Sequence, residues 1–322
     1  MEPVRVGVVG VGHLGHHHAR VYTEILGARL VGIVDVDEER AASVGESLGV
    51  PSFSDLEDFF DRCRPDAISI VVPTCHHYDV AVKALERKIH VLVEKPVTTT
   101  VEQAEKLLRL AEKNGLVLQV GHIERFNSAV QHVRNIVKEP LMLQSRRLGP
   151  YSPRIADVGV VLDLMIHDID IILSLVHAPL RGIVASGRKV LGRHEDIAMA
   201  QLSFTDGTLA DILVSRVSEK RMRQLEIMER ERFVTVDYAT QDVSIHRCVQ
   251  DRSTGLLEVI EHPVFPKGEP LKLELQHLIS CVQDGRMPLV SITDGKRALE
   301  IAVEVLRQIQ PQTAEEEDLK IG

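Results

Sequence analysis

The sequence predicts an α/β protein in which a parallel sheet comes first and an open, mostly antiparallel sheet follows. Up to about residue 122, continuous apolar strands alternate with amphipathic helical patterns, which is typical of a parallel sheet covered by helices on both faces. From about residue 141, many strands alternate apolar and polar residues, and turn-forming pairs such as Asp206-Gly207 separate several of them. We therefore predict two domains, over 1–122 and 123–322.

The elements follow from apolar runs of strand length set between helical periodicities. In the first domain, strands are predicted over 4–9, 29–34, 67–72, 90–93 and 116–120. Helices are predicted there over 16–26, 38–48, 56–63, 77–87 and 101–114. In the second domain, strands are predicted over 141–148, 181–190, 198–204, 208–217, 221–229, 232–237 and 241–246, with helices over 161–176, 271–284 and 293–308.

Composition excludes several classes of protein. The 38 basic residues are outnumbered by 47 acidic ones, so the net charge of −9 does not favour nucleic acid as a partner. No apolar run is long enough to cross a bilayer, and no signal peptide precedes the first predicted strand. The four cysteines are scattered without a Cys-x-x-Cys pair, which favours reduced thiols in a cytoplasmic protein.

The first predicted strand runs directly into a turn with the spacing Gly-x-Gly-x-x-Gly. The first glycine permits the tight turn, the second lets the backbone approach a pyrophosphate, and the third lets helix and strand pack closely. Asp35 ends the next strand about 20 residues later, where its carboxylate can accept hydrogen bonds from an adenosine ribose and would repel a 2′-phosphate. These features predict a Rossmann domain that binds NAD rather than NADP, through Gly10, Gly12, His13, Leu14, Gly15 and Asp35.

Two further strand ends of the first domain carry predicted cofactor contacts. Glu94-Lys95-Pro96 ends a buried strand, and the carboxyl ends of parallel strands line the ligand crevice. There we expect the Lys95 ammonium to point toward the nicotinamide end and to polarise a substrate oxygen. At the end of another strand, Thr74 is a good N-cap candidate, whereas His76 either contacts nicotinamide or ribose or lies in solvent. The predicted contacts at these two ends are Pro73, Thr74, His76, Glu94 and Lys95.

A third chemical pattern lies in the second domain, within a very apolar helical stretch. Asp163 and His167 are four residues apart, so on an α-helix they share one face. A carboxylate beside an imidazole orients the ring and raises its basicity, as a general base requires. Asp170 is also near that face, so the spacing leaves open which acid serves the ring.

The histidines at the start of the first helix do not predict a metal site. His13, His16, His17 and His18 lie across the glycine-rich turn and the helix start, without a cysteine or a clear carboxylate partner. Side chains spread around a helix cannot all converge on one ion. We predict no metal, and we expect His13 and His18 to pack near the cofactor instead.

Three motifs in this order resemble those of the Gfo/Idh/MocA oxidoreductases, namely Gly10-x-Gly12-x-x-Gly15-x-x-His18, Glu94-Lys95-Pro96 and Asp163-x-x-x-His167. The resemblance covers nearly the whole chain. It implies an NAD-dependent dehydrogenase that acts on CH–OH groups, with the open sheet assembling homodimers or homotetramers. It also implies Lys95 and His167 as the catalytic pair and Asp163 as a substrate-binding or orienting residue. Family members differ over which of the pair takes the proton, and His167 as base is our hypothesis.

Within that family, the segments 121–127, 147–150 and 157–170 resemble a branch of UDP-N-acetylglucosamine 3-dehydrogenases of lipid A biosynthesis. The resemblance implies oxidation of a sugar 3-hydroxyl to a ketone, which a partner aminotransferase converts to an amine. The predicted substrate-binding residues are Arg125, Asn127, Arg147, Arg154, Asp163 and His167, and further basic candidates for a diphosphate are Arg146, Lys220, Arg221 and Arg223. The alternatives are a cyclitol (inositol) or free-sugar dehydrogenase, or a non-catalytic NAD-binding regulator.

Overall fold

The computed structural model describes residues 2–152, 158–251 and 255–309. The chain divides into two compact units, of which the first comprises 1–126 and 268–299 and the second comprises 127–267 and 300–322. The predicted domains, 1–122 and 123–322, are continuous segments of sequence. The units differ from them chiefly because 268–299 returns to the first unit.

The first unit is built on a parallel sheet of six strands, which are β1 (Val4–Val9), β2 (Ala28–Val34), β3 (Ser52–Phe53), β4 (Ala67–Ile70), β5 (His90–Glu94) and β6 (Leu118–Gly121). Their order across the sheet is β3-β2-β1-β4-β5-β6. The connecting helices are α1 (His13–Tyr22), α2 (Glu38–Leu48), α3 (Leu56–Cys63), α4 (Thr74–Glu86) and α5 (Val101–Asn114), and a short 3-10 helix spans Ile123–Phe126. The predicted parallel sheet is confirmed. Strand β3 is additional, because two residues are too few to form a sequence pattern.

The second unit begins with α6 (Ser128–Ile136) and contains an eight-stranded sheet. Its strands are β7 (Met142–Leu148), β8 (Leu180–Arg188), β9 (Ile197–Phe204), β10 (Leu209–Ser215), β11 (Met222–Met228), β12 (Arg232–Asp237), β13 (Asp242–Asp251) and β14 (Gly255–Glu261). The order is β14-β13-β12-β11-β7-β10-β9-β8, in which β7 and β10 are parallel and the other neighbours are antiparallel. This confirms the predicted, mostly antiparallel sheet and adds β14.

One face of this sheet is covered by a helix that directly follows a π-helical turn. The π-helical turn spans Val161–Met165 and continues into α7 (Ile166–Leu175). Strand β7 presents Leu143, Ser145 and Arg147 on the buried side, and Ser145 bonds to α7. The opposite face is open within the second unit and carries exposed Val184 and Met199. The alternation along β7 therefore separates residues that face α7 from residues on the open face.

The described chain ends with two long helices, α8 (Pro270–Asp284) and α9 (Ile292–Ile309). Leu275 and Leu278 of α8 are fully buried in one core with Val6 and Val8 of β1. The predicted second domain includes this helix, whereas the structure groups it with the first unit. The apolar side of α8 covers the parallel sheet, although α8 follows the antiparallel strands along the chain. No helix in the described part of the chain is both long and apolar enough to span a membrane.

Candidate active site

The glycine-rich turn joins β1 to α1, and its three glycines meet different surroundings. Gly10 has a φ of +86°, and a Cβ there would lie 2.7 Å from the carbonyl oxygen of Val71. A Cβ on Gly15 would lie 1.8 Å from the Gly10 carbonyl oxygen, so α1 starts too close to the turn for any side chain. At Gly12, nothing lies within 4 Å of an added Cβ. The Gly12 backbone is therefore open to an approaching ligand.

Helix α1 begins at His13 with Gly12 as its N-cap, and no described side chain caps it. The N–H groups of an uncapped first turn, together with the positive end of the helix dipole, favour an anion. His13 and Leu14 are exposed beside the same turn. The open Gly12 backbone and this uncapped helix start fit the pyrophosphate of a dinucleotide, as the sequence predicts.

Asp35 follows β2 and is buried against the glycine-rich turn. Its Oδ2 accepts the Val11 N–H at 2.8 Å, and its Oδ1 accepts the Asp37 N–H at 3.0 Å. Arg40 of α2 lies beside this carboxylate, with Nη1 at 3.2 Å from Oδ1. Asp35 thus fixes the turn that we expect to hold the cofactor. Sequence reasoning missed Arg40, whose position three residues after the N-cap Asp37 could have indicated a helix-start basic residue near Asp35.

Lys95 is half-buried at the end of β5, and the Lys95–Pro96 peptide bond is cis. His77 of α4 closes this turn, with Nδ1 at 2.9 Å from the Pro96 carbonyl oxygen and Nε2 at 2.9 Å from that of Val72. Burial lowers the pKa of His77 despite these two carbonyl groups. Sequence reasoning considered His76, which is exposed, and missed its neighbour. The adjacent pair of histidines at a helix start was the available indication.

The start of α4 differs from the prediction by one residue. Its N-cap is Pro73, in an extended conformation, and Thr74 is the first helical residue. The predicted N-cap role of Thr74 is therefore wrong, because the chain enters the helix directly after the proline. The His76 N–H bonds to the Pro73 carbonyl oxygen at 2.9 Å. All three residues lie just beyond β4, where the sequence predicts cofactor contacts, and those contacts stay a prediction.

The Glu94 carboxylate is buried within the first unit. Its Oε1 lies 3.3 Å from Nε2 of His18, which has no exposed surface, and its Oε2 accepts the Lys95 N–H at 3.2 Å. Gly121 of β6 passes so closely that an added Cβ would lie 2.8 Å from this carboxylate. The strand end that carries Lys95 is therefore fixed by a buried acid, whose predicted contact with the cofactor stays a prediction.

The two candidate catalytic residues of the second unit lie at the start of its central helix. Asp163 is in the π-helical turn and His167 is in the first turn of α7. Both are half-buried, whereas Met165 and Ile166 between them have no exposed surface. A π-helical turn bonds residue i to i+5, so the four-residue spacing does not by itself align the two side chains. Their partial exposure is what a residue that meets substrate needs.

Arg147, a predicted substrate contact, is 3% exposed and paired inside the second unit. Its Nε lies 2.9 Å from Oδ2 of Asp168, and its Nη2 lies 3.1 Å from Oδ1. Ser145 also donates to Oδ1 of Asp168 at 2.7 Å, and the guanidinium lies 5.1 Å from the Tyr238 ring centre. A two-point pair this deeply buried fixes α7 on the sheet. We therefore interpret Arg147 as a residue that positions the neighbouring His167.

Two other predicted substrate contacts are also buried. Arg125, in the first unit, is 4% exposed and donates to the Leu289 carbonyl oxygen at 3.3 Å. Asn127 is the N-cap of α6: its Oδ1 accepts the Ala129 N–H at 3.1 Å, and its Nδ2 donates to the Tyr238 carbonyl oxygen at 2.9 Å. These bonds give both side chains a role in holding the chain, and their substrate contacts stay predictions. Arg154 lies outside the described residues.

Sequence reasoning missed two adjacent acids, of which Glu195 holds the start of the π-helical turn and Asp196 holds the chain just before β9. Glu195 accepts the Val161 N–H on Oε1 at 3.1 Å. Asp196 pairs with Nε of Arg216 at 2.6 Å and accepts three backbone N–H groups, from Val190, Leu191 and Gly192. Although burial opposes it, these donors lower the pKa of Asp196 to about 2. A Glu-Asp pair just before a strand carries no pattern that predicts such a role.

Within the described residues, no group of three or more His, Cys, Asp or Glu side chains could hold a metal ion. His13 and His17 instead meet edge to face, with ring centres 5.1 Å apart. His18 is buried against Glu94.

Two family descriptions match the chain. Residues 4–122 match the oxidoreductase family with an NAD-binding Rossmann fold, and residues 120–232 match the GFO/IDH/MocA C-terminal domain. Together they cover both parts that the sequence motifs indicate. The first match agrees with the glycine-rich turn described above, and it establishes NAD as the cofactor class of this fold.

Known relatives agree with that match. UDP-N-acetylglucosamine 3-dehydrogenase from Acidithiobacillus ferrooxidans is 34% identical over 95% of this chain and 97% of its own length, and its structure superposes with a TM-score of 0.89 over 97% of this chain and 99% of that one. A scyllo-inositol 2-dehydrogenase (NAD(+)) from Bacillus subtilis is 27% identical over 93% of this chain and 92% of its own length. The chain therefore belongs to the GFO/IDH/MocA family of NAD-binding oxidoreductases.

Proposed function

We infer that the protein oxidises the 3-hydroxyl of UDP-N-acetylglucosamine to a ketone, with NAD as the hydride acceptor. The observation that carries this proposal is the similarity to the Acidithiobacillus ferrooxidans 3-dehydrogenase. It extends over nearly the full length of both proteins, at 34% identity, and the folds superpose with a TM-score of 0.89. The three motifs identified in the sequence supply the residues that this chemistry needs.

In the proposed reaction each residue has a separate task. Bound NAD supplies the hydride acceptor. The Gly12 backbone and the uncapped start of α1 bind its pyrophosphate, and the carboxylate of Asp35 accepts hydrogen bonds from the ribose. His167 takes the proton of the sugar hydroxyl, and the Lys95 ammonium stabilises the negative charge that develops on that oxygen. Asp163 orients the sugar or the His167 ring.

The diphosphate of such a substrate needs basic side chains, and strand register separates the candidates. Arg223 of β11 lies directly opposite Arg147 of β7 in the antiparallel register, so both side chains project toward the α7 side of the sheet. Arg146 alternates with Arg147 and projects to the open face. Arg223 is exposed, whereas Arg147 is buried in its pair with Asp168. We therefore assign the diphosphate contact to Arg223 rather than to Arg146.

Two kinds of partner belong to this proposal. The open face of the eight-stranded sheet carries exposed Val184 and Met199, which supports a homodimer or homotetramer assembled through that face. A ketone produced from the sugar would be the substrate of an aminotransferase, in the setting of lipid A biosynthesis.

A second candidate function is an inositol dehydrogenase. The relative from Bacillus subtilis, a scyllo-inositol 2-dehydrogenase, matches 93% of this chain at 27% identity. Cyclitol oxidation would use the same NAD site and the same Lys95 and His167, but it would need no diphosphate contact. Only the UDP-sugar reaction should therefore need Arg223, and only that reaction should be inhibited by UDP.

The test is NADH formation by the purified protein with NAD and UDP-N-acetylglucosamine. A ketone-consuming aminotransferase and glutamate are included, because oxidation of a sugar alcohol by NAD is often uphill. We expect NADH to form with the UDP sugar. Free N-acetylglucosamine and inositol should not support NADH formation. Turnover of inositol that UDP fails to inhibit would select the second candidate instead.

A further inference from the structure

Three ionisable side chains are buried in the first unit, where two of them meet at the strand end that carries Lys95 and the third responds to the charge of one of them. His18 of α1 and Glu274 of α8 have no exposed surface, and Glu94 of β5 is 8% exposed. His18 Nε2 lies 3.3 Å from Glu94 Oε1. The proposed reaction assigns no proton or charge to any of the three. Two carboxyl groups in one apolar interior nevertheless need an account of their charges, because an isolated buried charge is very costly.

The surroundings of Glu274 do not stabilise a negative charge on its carboxyl group. Both of its carboxyl oxygens are buried without a hydrogen-bond partner among the described residues. The neighbouring turns of α8 place Leu271, Leu275 and Leu278 in the apolar core. A carboxylate in such surroundings would lose its hydration without replacement, whereas the neutral acid loses much less. Burial and the charge of Glu94 accordingly raise the pKa of Glu274 well above its ordinary value.

Glu94 has the opposite environment. One oxygen faces His18, and the other accepts the backbone N–H of Lys95 at 3.2 Å. Burial acts to raise its pKa, but the neighbouring His18 and Lys95 side chains and the Lys95 N–H outweigh burial and lower the pKa of Glu94. The two carboxyl groups of this cluster thus have different partners, and only the surroundings of Glu94 stabilise a carboxylate.

The other groups packed around the two acids add no further charge. Tyr22 of α1 shares a hydrogen bond of 2.7 Å with Ser69 of β4, and burial raises the pKa of its phenol. Gln119 of β6 donates from Nε2 to the backbone carbonyl oxygen of Glu274 at 3.1 Å. Among the titratable neighbours, His18 and Lys95 lower the pKa of Glu94. Tyr22 stays a neutral phenol, because its pKa is raised.

We propose that His18, Glu94 and Glu274 form a buried cluster whose two carboxyl groups hold between them one negative charge and one proton, with the charge fixed on Glu94, where it positions Lys95, and the proton kept on Glu274. Glu94 and His18 are then positioning residues, since they act through Lys95. This positioning role rests on the proposed function, because it needs Lys95 to take part in the reaction. The proton on Glu274 does not depend on it.

The kinetic test uses the same isosteric change at both acids. Glu274→Gln imitates a protonated carboxyl, so turnover should stay within about twofold of the wild type. Glu94→Gln removes the fixed charge, so kcat should fall by about 10- to 100-fold through misplacement of Lys95. NAD affinity of Glu274→Gln, measured by calorimetry, should stay unchanged. The pH–rate profile of Glu94→Gln should move to lower pH, since loss of a buried anion disfavours nearby cations, and Glu94→Asp should restore part of the lost kcat.

A second measurement reads the proton without using activity. The infrared difference spectrum between the wild type and Glu274→Gln should show the carbonyl stretch of a protonated carboxylic acid, and that band should persist in Glu94→Gln. Absence of the band, or equal loss of turnover in the two Gln variants, would overturn the proposal. Full turnover in Lys95→Ala would instead contradict the proposed function and leave the infrared result standing.

Discussion

At the scale of single residues, the site depends on buried acids that accept hydrogen bonds from backbone N–H groups. Asp35 accepts such bonds from Val11 and Asp37, and Glu94 accepts one from Lys95. In both cases a buried carboxylate and the turn beside it hold each other in place. The groups that we expect to meet cofactor and substrate are therefore set on a rigid frame, which orientation-dependent chemistry needs.

The most direct residue-scale prediction concerns the proposed catalytic pair. Lys95→Ala removes charge stabilisation and His167→Ala removes the base, so each should lower kcat by about 100- to 10,000-fold. NAD affinity, measured by calorimetry, should change little, because neither side chain holds the pyrophosphate. Leu26→Ala is a matched surface control, since Leu26 is 95% exposed and away from the motifs. A purified variant with full turnover would refute the assignment of its residue.

A second prediction concerns stability and pH. Because the pKa of Glu274 is raised in the folded protein, the folded state keeps a proton that the unfolded state releases above about pH 4.3. Stability is therefore lost as the pH rises from that value toward the raised folded pKa. Glu274→Gln removes this loss, so its Tm should match the wild type near pH 4 and exceed it increasingly toward neutral pH. A difference that does not vary with pH, measured by scanning calorimetry, would contradict this.

At the scale of elements, the register of the second sheet determines which side chains reach the helix that carries His167. Arg147 and Arg223 face each other across β7 and β11, whereas Arg146 faces Gln224. The sequence predicts that these segments are strands, because apolar and polar residues alternate. It does not predict that β7 and β11 are neighbours, because the strands are separated by more than seventy residues and pair through backbone groups.

This register predicts different outcomes for two arginines. If Arg223 contacts the diphosphate, Arg223→Ala should raise KM for UDP-N-acetylglucosamine by about tenfold or more with little change in kcat, as loss of a charge-assisted hydrogen bond implies. Arg146→Ala, on the open face, should leave both constants unchanged. Steady-state kinetics of the two purified variants would decide, and equal effects of both changes would refute the assignment by face.

The buried pair under α7 gives an element-scale stability prediction. Arg147→Met leaves Asp168 buried without its ion-pair partner and should lower the free energy of unfolding by about 3–5 kcal/mol. The double variant Arg147→Met, Asp168→Leu removes the stranded charge and should recover much of that loss. Arg146→Met should change stability by at most about 0.5 kcal/mol, as expected of an exposed residue. Urea unfolding of the three variants tests this, and a stable single variant would contradict it.

At the scale of the whole molecule, local patterns predict most of the fold and contacts between distant segments do not follow from them. The glycine spacing and the continuous apolar strands predict the parallel sheet and its NAD-binding turn. The return of α8 to that sheet escapes prediction, because its amphipathic pattern fits either unit. The candidate substrate residues Arg125, Asn127 and Arg147 are basic or polar in sequence, and their burial, which the sequence does not predict, gives each a structural role beside the predicted substrate contact.

The buried acids illustrate why the rest of the site could not be predicted. Glu94 is part of a recognisable motif, but Glu274 lies 180 residues later in an ordinary amphipathic helix. Only the packing of α8 brings it into the same interior and deprives it of partners. Its charge is therefore a property of the assembled unit, as is the support that Glu195 gives to the π-helical turn.

The central claim, oxidation at the sugar 3-position, is tested most directly by isotope transfer. UDP-N-acetylglucosamine carrying deuterium at C3 is incubated with the protein, NAD, glutamate and the aminotransferase, and the reduced cofactor is examined by NMR. Oxidation at C3 should give reduced nicotinamide that carries the deuterium, together with loss of the deuterium from the sugar. Reduced cofactor without deuterium would contradict oxidation at C3. An unchanged labelled sugar, while the same protein rapidly oxidises inositol in a parallel reaction, would contradict it as well.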